Sequence, residues 1–549
     1  MRAPSLLDAL RRRLAEAPEA PFAHLVQGDR TETLTIAGLA EAAARWAGLL
    51  AAQGCRPGET VLIILRHGPA PYAAFLGAMM AGAVPAFLPF ATPKQDPRLY
   101  WQAHDALLRR IGPARIVTWP ENAAALRAHL ALDSHRLHLL GEEAGAAPLR
   151  DWRDGGGGEI ALLQHSSGTT GLKKGVALSH AAILAQLDAY AEAIGFAPGD
   201  VVASWLPLYH DMGLVACFLL PLVKGGAVAS LDAFDWVARP ATLPAAIAAH
   251  RARWCWLPNF AFEHLVRTRR PGEHHDLSSL RALIDCSEVC RAETLDRFAT
   301  AFADCGITQA HLQCCYAMAE TVFAVTQTPP GRPAPRLLLS AEALAQGRAV
   351  PPAPGERAAT LPSVGRPIAG LALRILDEAG GPLPEGRVGE VALRGDCLFQ
   401  GWHADPAASA AAFTAGWYRT GDLGALVGGE LVITGRRKEV IKLNGRSVHA
   451  PDLEALAHGI PGLHPGRAVA LGLPDAASGS EALVLVAETT LTEEPARRDL
   501  QRALRATIEA ATGLAGAGIA LRPPGWLVKT TSGKLSRAEN LAKYLSEAA

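Results

Sequence analysis

Helix-like and strand-like segments alternate along most of this chain, from about residue 30 to residue 430. The stretch LAEAAARWAGLLAAQG is typical of a helix, whereas the short runs TVLIIL, ARIVTW, IALLQ, VVASWL and LRALIDC are typical of buried strands. Because such alternation marks helices layered on largely parallel sheets, it predicts an α/β fold. The chain has 549 residues, more than one hydrophobic core organises, so we expect two or more domains.

A domain boundary is predicted at the segment GRRK, residues 435–438. The residues after it carry their own α/β pattern, VIKLNG, LEALAHGI, RAVALGL and ALVLVAE. We therefore predict a large N-terminal body of layered α/β subdomains over residues 1–435 and a small C-terminal α+β domain over residues 438–549. Within the body, residues 327–361 are rich in proline and alanine. Their centre, LLLSAEALAQGRAVPP, has enough apolar residues for a short strand and a helical turn, so we expect an ordered insertion.

Composition excludes several classes of partner. The 53 basic and 53 acidic residues balance, which gives no electrostatic reason to expect nucleic acid or an anionic membrane. The longest apolar run, residues 74–90, is too short and too interrupted by Pro85 and Pro89 to span a bilayer. The nine cysteines show no CxxC pair and fit packed thiols in a reducing compartment. We expect a cytoplasmic protein without a membrane span.

Lysine is scarce, and its distribution marks three segments. Six of the nine lysines fall in SSGTTGLKKG, GRRKEVIK and VKTTSGKLSR, while arginine supplies nearly all the other positive charge. A lysine retained in such a chain suggests a position that guanidinium geometry does not suit. These segments are therefore candidates for chemistry.

The first of these segments has the composition of a phosphate-binding loop. Small hydroxyl residues and glycines let N–H and O–H groups surround an anion, and a lysine neutralises its charge. It is not a Walker A loop, because Lys174 is followed by glycine. A Ser/Gly-rich turn that binds no phosphate would have the same composition. The residues of the predicted loop are Ser166, Ser167, Gly168, Thr169, Thr170 and Gly171.

Together with YAMAET (316–321), GWYRTGDL (416–423), GRRK and TSGKL (531–535), this loop resembles the adenylate-forming superfamily. That superfamily contains acyl-CoA synthetases, peptide-synthetase adenylation domains and fatty acyl-AMP ligases. The motifs occur in the family's order and approximate spacing over nearly the whole chain. The resemblance implies an enzyme that uses ATP and Mg²⁺ to convert a carboxylic acid into an acyl-AMP. It also implies that the C-terminal domain is mobile, with Lys438 at the hinge.

The resemblance implies roles for residues around the phosphates. Thr169, Thr170 and Lys174 would hold the β- and γ-phosphates of ATP. Glu320 would bind Mg²⁺, a hard cation that prefers carboxylates. Lys534 would reach the α-phosphate and carboxylate oxygens as charge builds in the transition state.

Other matching residues would bind the nucleoside. Tyr316 would stack on adenine, Asp422 would accept hydrogen bonds from both ribose hydroxyls, and Arg436 would contact the ribose or phosphate side. Arg436 completes the predicted catalytic set with Glu320 and Lys534. Each also has a plainer interpretation: Tyr316 as a core residue, Asp422 as a turn residue, Lys534 as a solvated turn lysine. The remaining nucleotide-binding candidates are Ser287, Glu288, Ala317 and Thr321.

Two positions depart from the family pattern. The segment that lines adenine, usually Gly-Ala-Glu, is Cys286-Ser287-Glu288, which keeps the glutamate but adds bulk before it. Lys173 replaces the usual proline of the phosphate loop. Either change is expected to shift nucleotide affinity modestly.

Three segments look specifically like fatty acyl-AMP ligases: SWLPLYHDMGL (204–214), LPNFAFEHLVR (257–267) and SEVCRAETLDRF (287–298). The insertion at 327–361 also resembles that branch. The resemblance implies transfer of the acyl group to the phosphopantetheine thiol of a separate holo acyl carrier protein, because no carrier segment follows Lys534. Transfer to CoA is the alternative, and a non-catalytic adenylate-binding homologue is a third possibility. We also predict that the insertion biases the swing of the C-terminal domain and so controls acceptor choice.

The acyl pocket is predicted from loop positions in this branch. Trp205, Leu206, Phe260 and Phe262 would form its wall, with His210 near the substrate carboxylate. This apolar lining, without an acidic residue to meet an ammonium group, favours a fatty or related apolar acid over an amino acid.

Overall fold

The structure, a computed structural model, describes residues 5–28, 30–91, 97–130, 132, 136–153, 155–165, 174–443, 446–457, 460–475, 480–512, 516–529 and 535–548. Within these residues the chain forms a large α/β body followed by a smaller group of strands and helices. All nine cysteines are buried thiols without disulfides.

The first part of the body contains a four-stranded parallel sheet. Its elements are α1 Leu6–Glu16, β1 Pro21–Gln27, β2 Arg30–Thr35, α2 Ile36–Ala52, β3 Thr60–Ile63, α3 Ala70–Met80, β4 Val84–Phe87, α4 Pro97–Ile111, β5 Arg115–Thr118, α5 Pro120–His129, β6 Leu137–Leu139 and β7 Ile160–His165. The sheet order is β4-β3-β5-β6, with every pair parallel. Strands β3 and β4 are buried along their whole length, which explains their continuous apolar sequence.

The second part builds a nine-stranded sheet. Its elements are β8 Gly175–Ser179, α6 His180–Ile194, β9 Val201–Ser204, α7 Leu220–Lys224, β10 Ala227–Leu231, α8 Ala233–Ala238, α9 Thr242–His250, β11 Trp254–Leu257, α10 Asn259–Thr268, β12 Ala282–Asp285, α11 Ala292–Ala301, β13 Leu312–Ala317, β14 Ala324–Gln327, β15 Arg336–Ser340, α12 Ala341–Ala345, β16 Ala358–Pro362 and β17 Arg366–Pro367. The order is β17-β14-β13-β12-β11-β9-β10-β1-β2. Strands β13 to β1 run parallel, and the outer strands β17, β14 and β2 pair antiparallel.

The insertion is ordered, as predicted. Strands β15 and β16 pair as an antiparallel hairpin that places Arg336 opposite Pro362, and α12 lies between them in sequence. Leu339 and Ala349 are buried against Ala425 and Val432 of the body.

The last part of the body contains an antiparallel sheet, unlike the four-stranded parallel sheet of the first part. Its elements are β18 Leu371–Leu376, β19 Gly389–Gly395, β20 Gly401–Trp402, α13 Pro406–Ala411, β21 Phe413–Thr414, β22 Trp417–Val427 and β23 Glu430–Arg436. The strand order is β18-β19-β22-β21, and β23 pairs with residues 422–427 of β22. The expectation of largely parallel sheets therefore fails for residues 371–436, where the strand pairs are antiparallel and tight turns join β21 to β22 and β22 to β23.

A single turn, Arg437–Glu439, leads from β23 into the C-terminal elements. These are β24 Val440–Leu443, β25 Arg446–His449, α14 Ala450–Leu456, β26 Leu463–Asp475, β27 Ser480–Thr489, α15 Glu494–Thr512, β28 Gly518–Arg522 and α16 Arg537–Ala548. They enclose an apolar core of their own, which includes Leu453, Leu485 and Leu504. In the described part of the chain, no helix combines the length and apolar character needed to cross a bilayer.

Candidate active site

Asp422 lies at the centre of a polar cluster built by β13, β22 and β23. It is 3% exposed, and its Oδ2 accepts a hydrogen bond of 2.5 Å from the Tyr316 hydroxyl. Its Oδ1 lies 2.8 Å from Nε of Arg436, the residue that the strand register places directly opposite. The register of one strand pair thus brings two of the predicted site residues together.

Asp422 affects the pKa of both of its partners. The Asp422 carboxylate raises the pKa of the Arg436 guanidinium above its ordinary value, so the arginine stays charged. Burial, together with the same carboxylate, raises the pKa of Tyr316. The phenol therefore stays protonated and donates a hydrogen bond to Asp422. A carboxylate offers about four lone-pair sites, so Asp422 can accept further hydrogen bonds from a ligand such as a diol.

The turn that presents Glu320 is held by its neighbours. Thr321 is fully buried, and its hydroxyl lies 3.1 Å from the Met318 carbonyl oxygen and 2.9 Å from that of Phe323. Val322 has a φ of +66°, a conformation that a β-branched residue adopts only when its surroundings impose it. Thr321 therefore braces this turn through its hydroxyl.

Glu320 itself fits a magnesium ligand. Burial raises the pKa of its carboxyl, and the positive charge of Arg436 acts in the opposite direction. Mg²⁺ is held in proteins by one or two carboxylates together with substrate phosphates and water, so the single Glu320 carboxylate could hold it together with the phosphates of bound ATP.

Glu390 is a site residue that the sequence reasoning missed. Its Oε2 lies 2.9 Å from Nε of Arg419 and 3.4 Å from Nη1 of Arg437, and its Oε1 accepts from the N–H of Gly421 at 3.1 Å. Glu390 therefore fixes the part of β22 that carries Asp422. One signal was available: a buried glutamate inside the apolar strand GEVALRG needs a cationic partner.

Glu288 connects the two predicted halves of the site. Its Oε2 accepts a hydrogen bond of 3.1 Å from the backbone N–H of Phe260, in the first turn of α10, where helix N–H groups lack internal partners. Ser287, just before it, has a φ of +71°. The segment predicted to line adenine is thus bonded directly to the helix predicted to line the acyl group.

The predicted acyl-pocket residues separate into two groups. Trp205 stacks on Trp236, a residue that no motif indicated, and Phe260 meets both rings edge-on. Phe262 is fully buried and packs edge-on against Phe298 of α11. Because Phe260 and Phe262 are two positions apart on a helix, they lie on different faces. The structure brings Trp205 and Phe260 together and places Phe262 in the core.

Comparison with known proteins identifies the family. The family model described as AMP-binding enzyme matches residues 10–403. This chain belongs to the AMP-binding enzyme family. It is therefore an adenylate-forming ligase that uses ATP with Mg²⁺, and the α/β architecture predicted from the sequence is confirmed.

Named relatives of this AMP-binding enzyme cover most of its length. It is 30% identical over 528 residues to the 4-hydroxyphenylalkanoate adenylyltransferase of Mycobacterium tuberculosis, covering 89% of this chain and 82% of the relative. It is 31% identical over 524 residues to the long-chain-fatty-acid–AMP ligase FadD26 of Mycobacterium marinum, covering 89% and 88%. Among solved structures, a fatty acyl-adenylate ligase from a study of the E. coli and L. pneumophila proteins matches with a TM-score of 0.91 and 29% identity, covering 100% of this chain and 99% of that one. The predicted resemblance to fatty acyl-AMP ligases is confirmed.

One predicted phosphate-binding residue of this AMP-binding enzyme, Lys174, lies within the described residues. The Nζ of Lys174 lies 3.9 Å from the ring centroid of Trp402, a cation–π contact. Residues 166–171 and Lys534 lie outside the described residues, so their predicted phosphate and catalytic roles stay predictions.

Three further predicted positions lie within the described residues. His210 precedes a buried π-helical segment, Met212–Leu219, and its Nδ1 lies 2.6 Å from Oδ1 of Asp211. Lys438 is exposed in the turn between β23 and β24. Ala317 ends β13 next to Tyr316 and is half-buried.

Proposed function

We propose that this enzyme activates a fatty or related apolar carboxylic acid as its acyl-AMP and transfers the acyl group to the phosphopantetheine thiol of a separate holo acyl carrier protein. The names of the two mycobacterial relatives support the first half, since both act on acids without an ammonium group. The apolar surface formed by Trp205 and Phe260 supports the same class of acid.

In the first step, a carboxylate oxygen of the acid attacks the α-phosphorus of ATP, and pyrophosphate leaves. Asp422 would accept hydrogen bonds from the ribose, while Tyr316 and Arg436 hold its carboxylate in place. Glu320 would hold Mg²⁺, which neutralises phosphate charge when bound. Lys534 would stabilise the negative charge that grows on the transferring oxygens.

In the second step, the acceptor thiol attacks the acyl carbon of the adenylate. A thioester forms, AMP leaves as the anion, and the thiol proton passes to solvent. Both acceptors, CoA and a carrier protein, present the same phosphopantetheine thiol. Selection between them therefore depends on what surrounds the thiol rather than on the reaction.

One observation carries the choice of a carrier protein. The insertion hairpin packs Leu339 against Ala425 and Val432 of β22 and β23, and its helix α12 lies beside β25 of the C-terminal elements. An element that touches both parts of the chain can stabilise one orientation of the C-terminal domain. Domain movements of this kind pivot at a few hinge residues. A bias of about 1.4 kcal/mol changes the ratio of two domain orientations about tenfold.

The test has two stages. Pyrophosphate exchange into ATP should require both a carboxylic acid and Mg²⁺, and ATP hydrolysis indifferent to added acid would refute adenylation. In the second stage, two parallel reactions contain the same enzyme, ATP and acid, with either CoA or a holo carrier protein at equal concentration. The thioester products are identified by mass spectrometry. Faster acyl-carrier formation is expected. Equal or faster acyl-CoA formation would support the CoA-ligase alternative.

A further inference from the structure

A cleft in the first part of the body has no role in the steps described above. Its volume is about 700 Å³, within the range of small-molecule sites. No segment of its lining contains a residue assigned to the nucleotide, Mg²⁺ or the acyl group. The lining consists of residues 65–71 and Ala73 after β3, Trp119 after β5, Leu140, Glu143 and Ala144 after β6, and Ala42, Arg45 and Trp46 of α2.

The topology of the four-stranded sheet explains why a cleft forms there. The order is β4-β3-β5-β6 with every pair parallel, so the connection after β3 leads to one side and the connection after β5 to the other. Loops that leave neighbouring parallel strands in opposite directions separate at the carboxyl ends and leave a crevice, where open α/β sheets commonly bind ligands. Trp119 and residues 65–71 follow the two strands concerned.

Arg66 supplies a cation to this cleft. Its side chain is exposed, and its guanidinium lies over the indole of Trp119, 4.5 Å from the ring centroid. Trp119 itself is 8% exposed, so it is a fixed platform. Stacking occupies the face of a guanidinium and leaves the N–H groups at its edge available, and these match the geometry of a carboxylate or a phosphate.

The other charged groups of the lining already have partners. Arg45 lies 3.3 Å from Glu41 and also donates to the carbonyl oxygen of Ala144 at 3.3 Å. Oε2 of Glu143 accepts a hydrogen bond of 2.7 Å from the N–H of Gly141. Both groups are committed to the protein itself, which leaves the stacked guanidinium to bind a ligand.

Two carboxylates of α8 act electrostatically on His67, another residue of the lining. Oδ1 of Asp232 caps α8 by accepting from the N–H groups of Phe234 and Asp235 at 2.8 Å and 3.0 Å. The Asp235 carboxylate lies 3.9 Å from Nη2 of Arg239. Because both carboxylates have partners, they oppose an anion in the cleft less than unpaired carboxylates would.

The start of α3 also favours an anion. The helix begins at Ala70 after Pro69, and no described side chain caps it, so the N–H groups of its first turn lack intrahelical partners and carry the positive end of the helix dipole. A Cβ placed on Gly68 would meet nothing within 4 Å, so a ligand can approach the backbone there. Nε2 of His67 and Nε1 of Trp119, two buried atoms of the lining, have no hydrogen-bond partner among the described residues.

The remainder of the lining is mostly apolar. Leu65 and Trp46 line the cleft with several alanines, and Leu140 is 42% exposed beside it. A few polar groups in an otherwise apolar cleft are typical of small-molecule sites. An apolar ligand would remove the exposed part of Leu140 from water, which favours binding.

We propose that this cleft binds a small amphiphilic anion, a molecule with a carboxylate or phosphate head group on an apolar body, at a site separate from adenylation. The head group binds Arg66 near the start of α3, and the apolar body covers Leu65 and Leu140. This inference goes beyond the proposed function and depends neither on the acceptor thiol nor on the acid that is activated.

The test measures binding to the full-length enzyme while a non-reactive acyl-adenylate analogue, an acyl sulfamate of adenosine, fills the adenylation site. Equilibrium dialysis compares dodecanoate, dodecyl phosphate, dodecanol and inorganic phosphate, each below the concentration at which micelles form. We expect at least one of the two alkyl anions to bind, with one molecule per chain, and the tighter one identifies the head group. Dodecanol and inorganic phosphate should bind at least about tenfold more weakly, since each lacks one half of the ligand.

Three variants locate the site. Arg66→Gln should weaken binding of the alkyl anion about 10- to 100-fold, the effect of lost hydrogen bonds to a charged group. Leu140→Asp, which places a negative charge beside the cleft, should act in the same direction. Arg56→Gln is the matched control, because Arg56 precedes β3 at the other end of the same strand, is 84% exposed and pairs with Glu59. Pyrophosphate exchange and thermal unfolding should match the wild type in all three variants.

Several outcomes would overturn the inference: unchanged affinity in Arg66→Gln, an equal loss in Arg56→Gln, dodecanol bound as tightly as the alkyl anions, or inorganic phosphate bound as tightly as dodecyl phosphate. Loss of all binding once the analogue fills the adenylation site would also overturn it, because the anion would then bind only at that site. Failure of acid-dependent pyrophosphate exchange in the wild type would contradict the proposed function instead and leave this cleft unaffected.

Discussion

The strand pair β22–β23 has a polar end and an apolar end. At the first, Asp422 lies opposite Arg436, and each is held by a charged or hydrogen-bonded partner. At the second, Ala425 lies opposite Val432, and both are fully buried beneath Leu339 of the insertion hairpin. Only a few residues along the same two strands separate these environments.

The two ends differ in how tightly they define a geometry. Hydrogen bonds and ion pairs depend on direction as well as distance, so the polar end holds its groups in one arrangement. Apolar contact is non-directional, so the other end can tolerate small displacements of the hairpin. We infer that the polar end serves adenylation, which needs preorganised charge, and that the apolar end serves acceptor choice. The predictions below test that division.

The largest effect is expected for Lys534→Ala, which removes the cation predicted to join the polar end during adenylation. Loss of one preorganised charge at a developing anion should slow single-turnover adenylation about 100- to 1,000-fold. ATP binding should change much less, because Asp422 and Glu320 remain. Lys224→Ala is the control, since Lys224 forms a partly exposed pair with Asp188 and such pairs contribute little. Adenylation at the wild-type rate in Lys534→Ala would refute the assignment.

Asp422→Asn should have the next largest effect. It keeps the size of the side chain but removes the charge that binds Arg436 and Tyr316, and hydrogen bonds to charged groups contribute about 1.5–3 kcal/mol. We expect kcat/KM for ATP to fall about 10- to 100-fold in steady-state assays.

The matched control for Asp422→Asn is Glu430, which lies beyond the apolar contact of Ala425 and Val432, where a turn joins the two strands. Glu430 accepts hydrogen bonds from Ser363 at 2.7 Å and Arg366 at 2.8 Å, and Glu430→Gln makes the same chemical change there. If both variants lost the same amount of activity, the two ends would not have separate roles.

The sequence predicts the polar end better than the apolar end. Asp422, Arg436 and Glu320 belong to short motifs whose order in the chain is itself informative. The anchoring role of Glu390 requires its pairing with Arg419 and Arg437, and strand pairing between distant segments cannot be read from local pattern. The fold class was predictable because alternation of helices and strands has one common packing solution.

The antiparallel sheet of residues 371–436 was not predictable in the same way. Its strands are partly exposed, and nothing in their composition gives the direction of a neighbouring strand. Trp236 was missed for a related reason. Its contact with Trp205 depends on where α8 packs, and neither residue lies in a segment that specifies the other.

The insertion gives the third prediction, at the apolar end. Leu339 is 2% exposed and Leu338, its neighbour on the same strand, is 55% exposed. Leu339→Ala should loosen the hairpin, because truncation of a buried leucine costs about 2–5 kcal/mol. We expect the ratio of acyl-CoA to acyl-carrier product to rise up to about tenfold, with adenylation nearly unchanged.

The exposed neighbour provides the control for this prediction. Leu338→Ala removes the same atoms from the opposite face of β15 and should leave the product ratio unchanged. Shortening residues 336–361 should act in the same direction as Leu339→Ala and more strongly. A product ratio that stayed constant in both altered insertions would exclude a role for the apolar end in acceptor choice.

The smallest effect is expected for the substitution of a second buried aspartate, Asp285, and it is an effect on stability rather than on adenylation. Asp285 ends β12, is fully buried, and neither oxygen of its carboxyl group has a hydrogen-bond partner among the described residues. Burial raises the pKa of its carboxyl well above the ordinary value, with the nearby Cys314 and Glu288 acting in the same direction. Over the pH range between the unfolded and folded pKa values, the Asp285 carboxyl group is therefore neutral in the folded protein and ionised in the unfolded protein.

The sign of the pH dependence follows from proton binding. When the folded state holds a proton that the unfolded state has lost, the free energy of unfolding decreases as pH rises from the unfolded pKa toward the folded pKa. Each unit of difference between the folded and unfolded pKa lowers the free energy of unfolding by about 1.4 kcal/mol at a pH above both. Asn cannot ionise, so Asp285→Asn removes this penalty, and the Tm of the variant minus that of wild type should increase as pH is raised from 4 to 8.

A surface aspartate with the opposite shift supplies the control. Arg336 lowers the pKa of Asp296 by hydrogen bonding, so Asp296 stabilises the fold above its unfolded pKa, and Asp296→Asn should lower Tm at neutral pH. Adenylation should survive in Asp285→Asn, in contrast to Asp422→Asn, because Asp422 contacts Arg436 and Tyr316 in the predicted nucleotide site. A Tm difference for Asp285→Asn that shrank with rising pH would show that Asp285 is ionised and paired in the folded protein, and the contrast between the two aspartates would disappear.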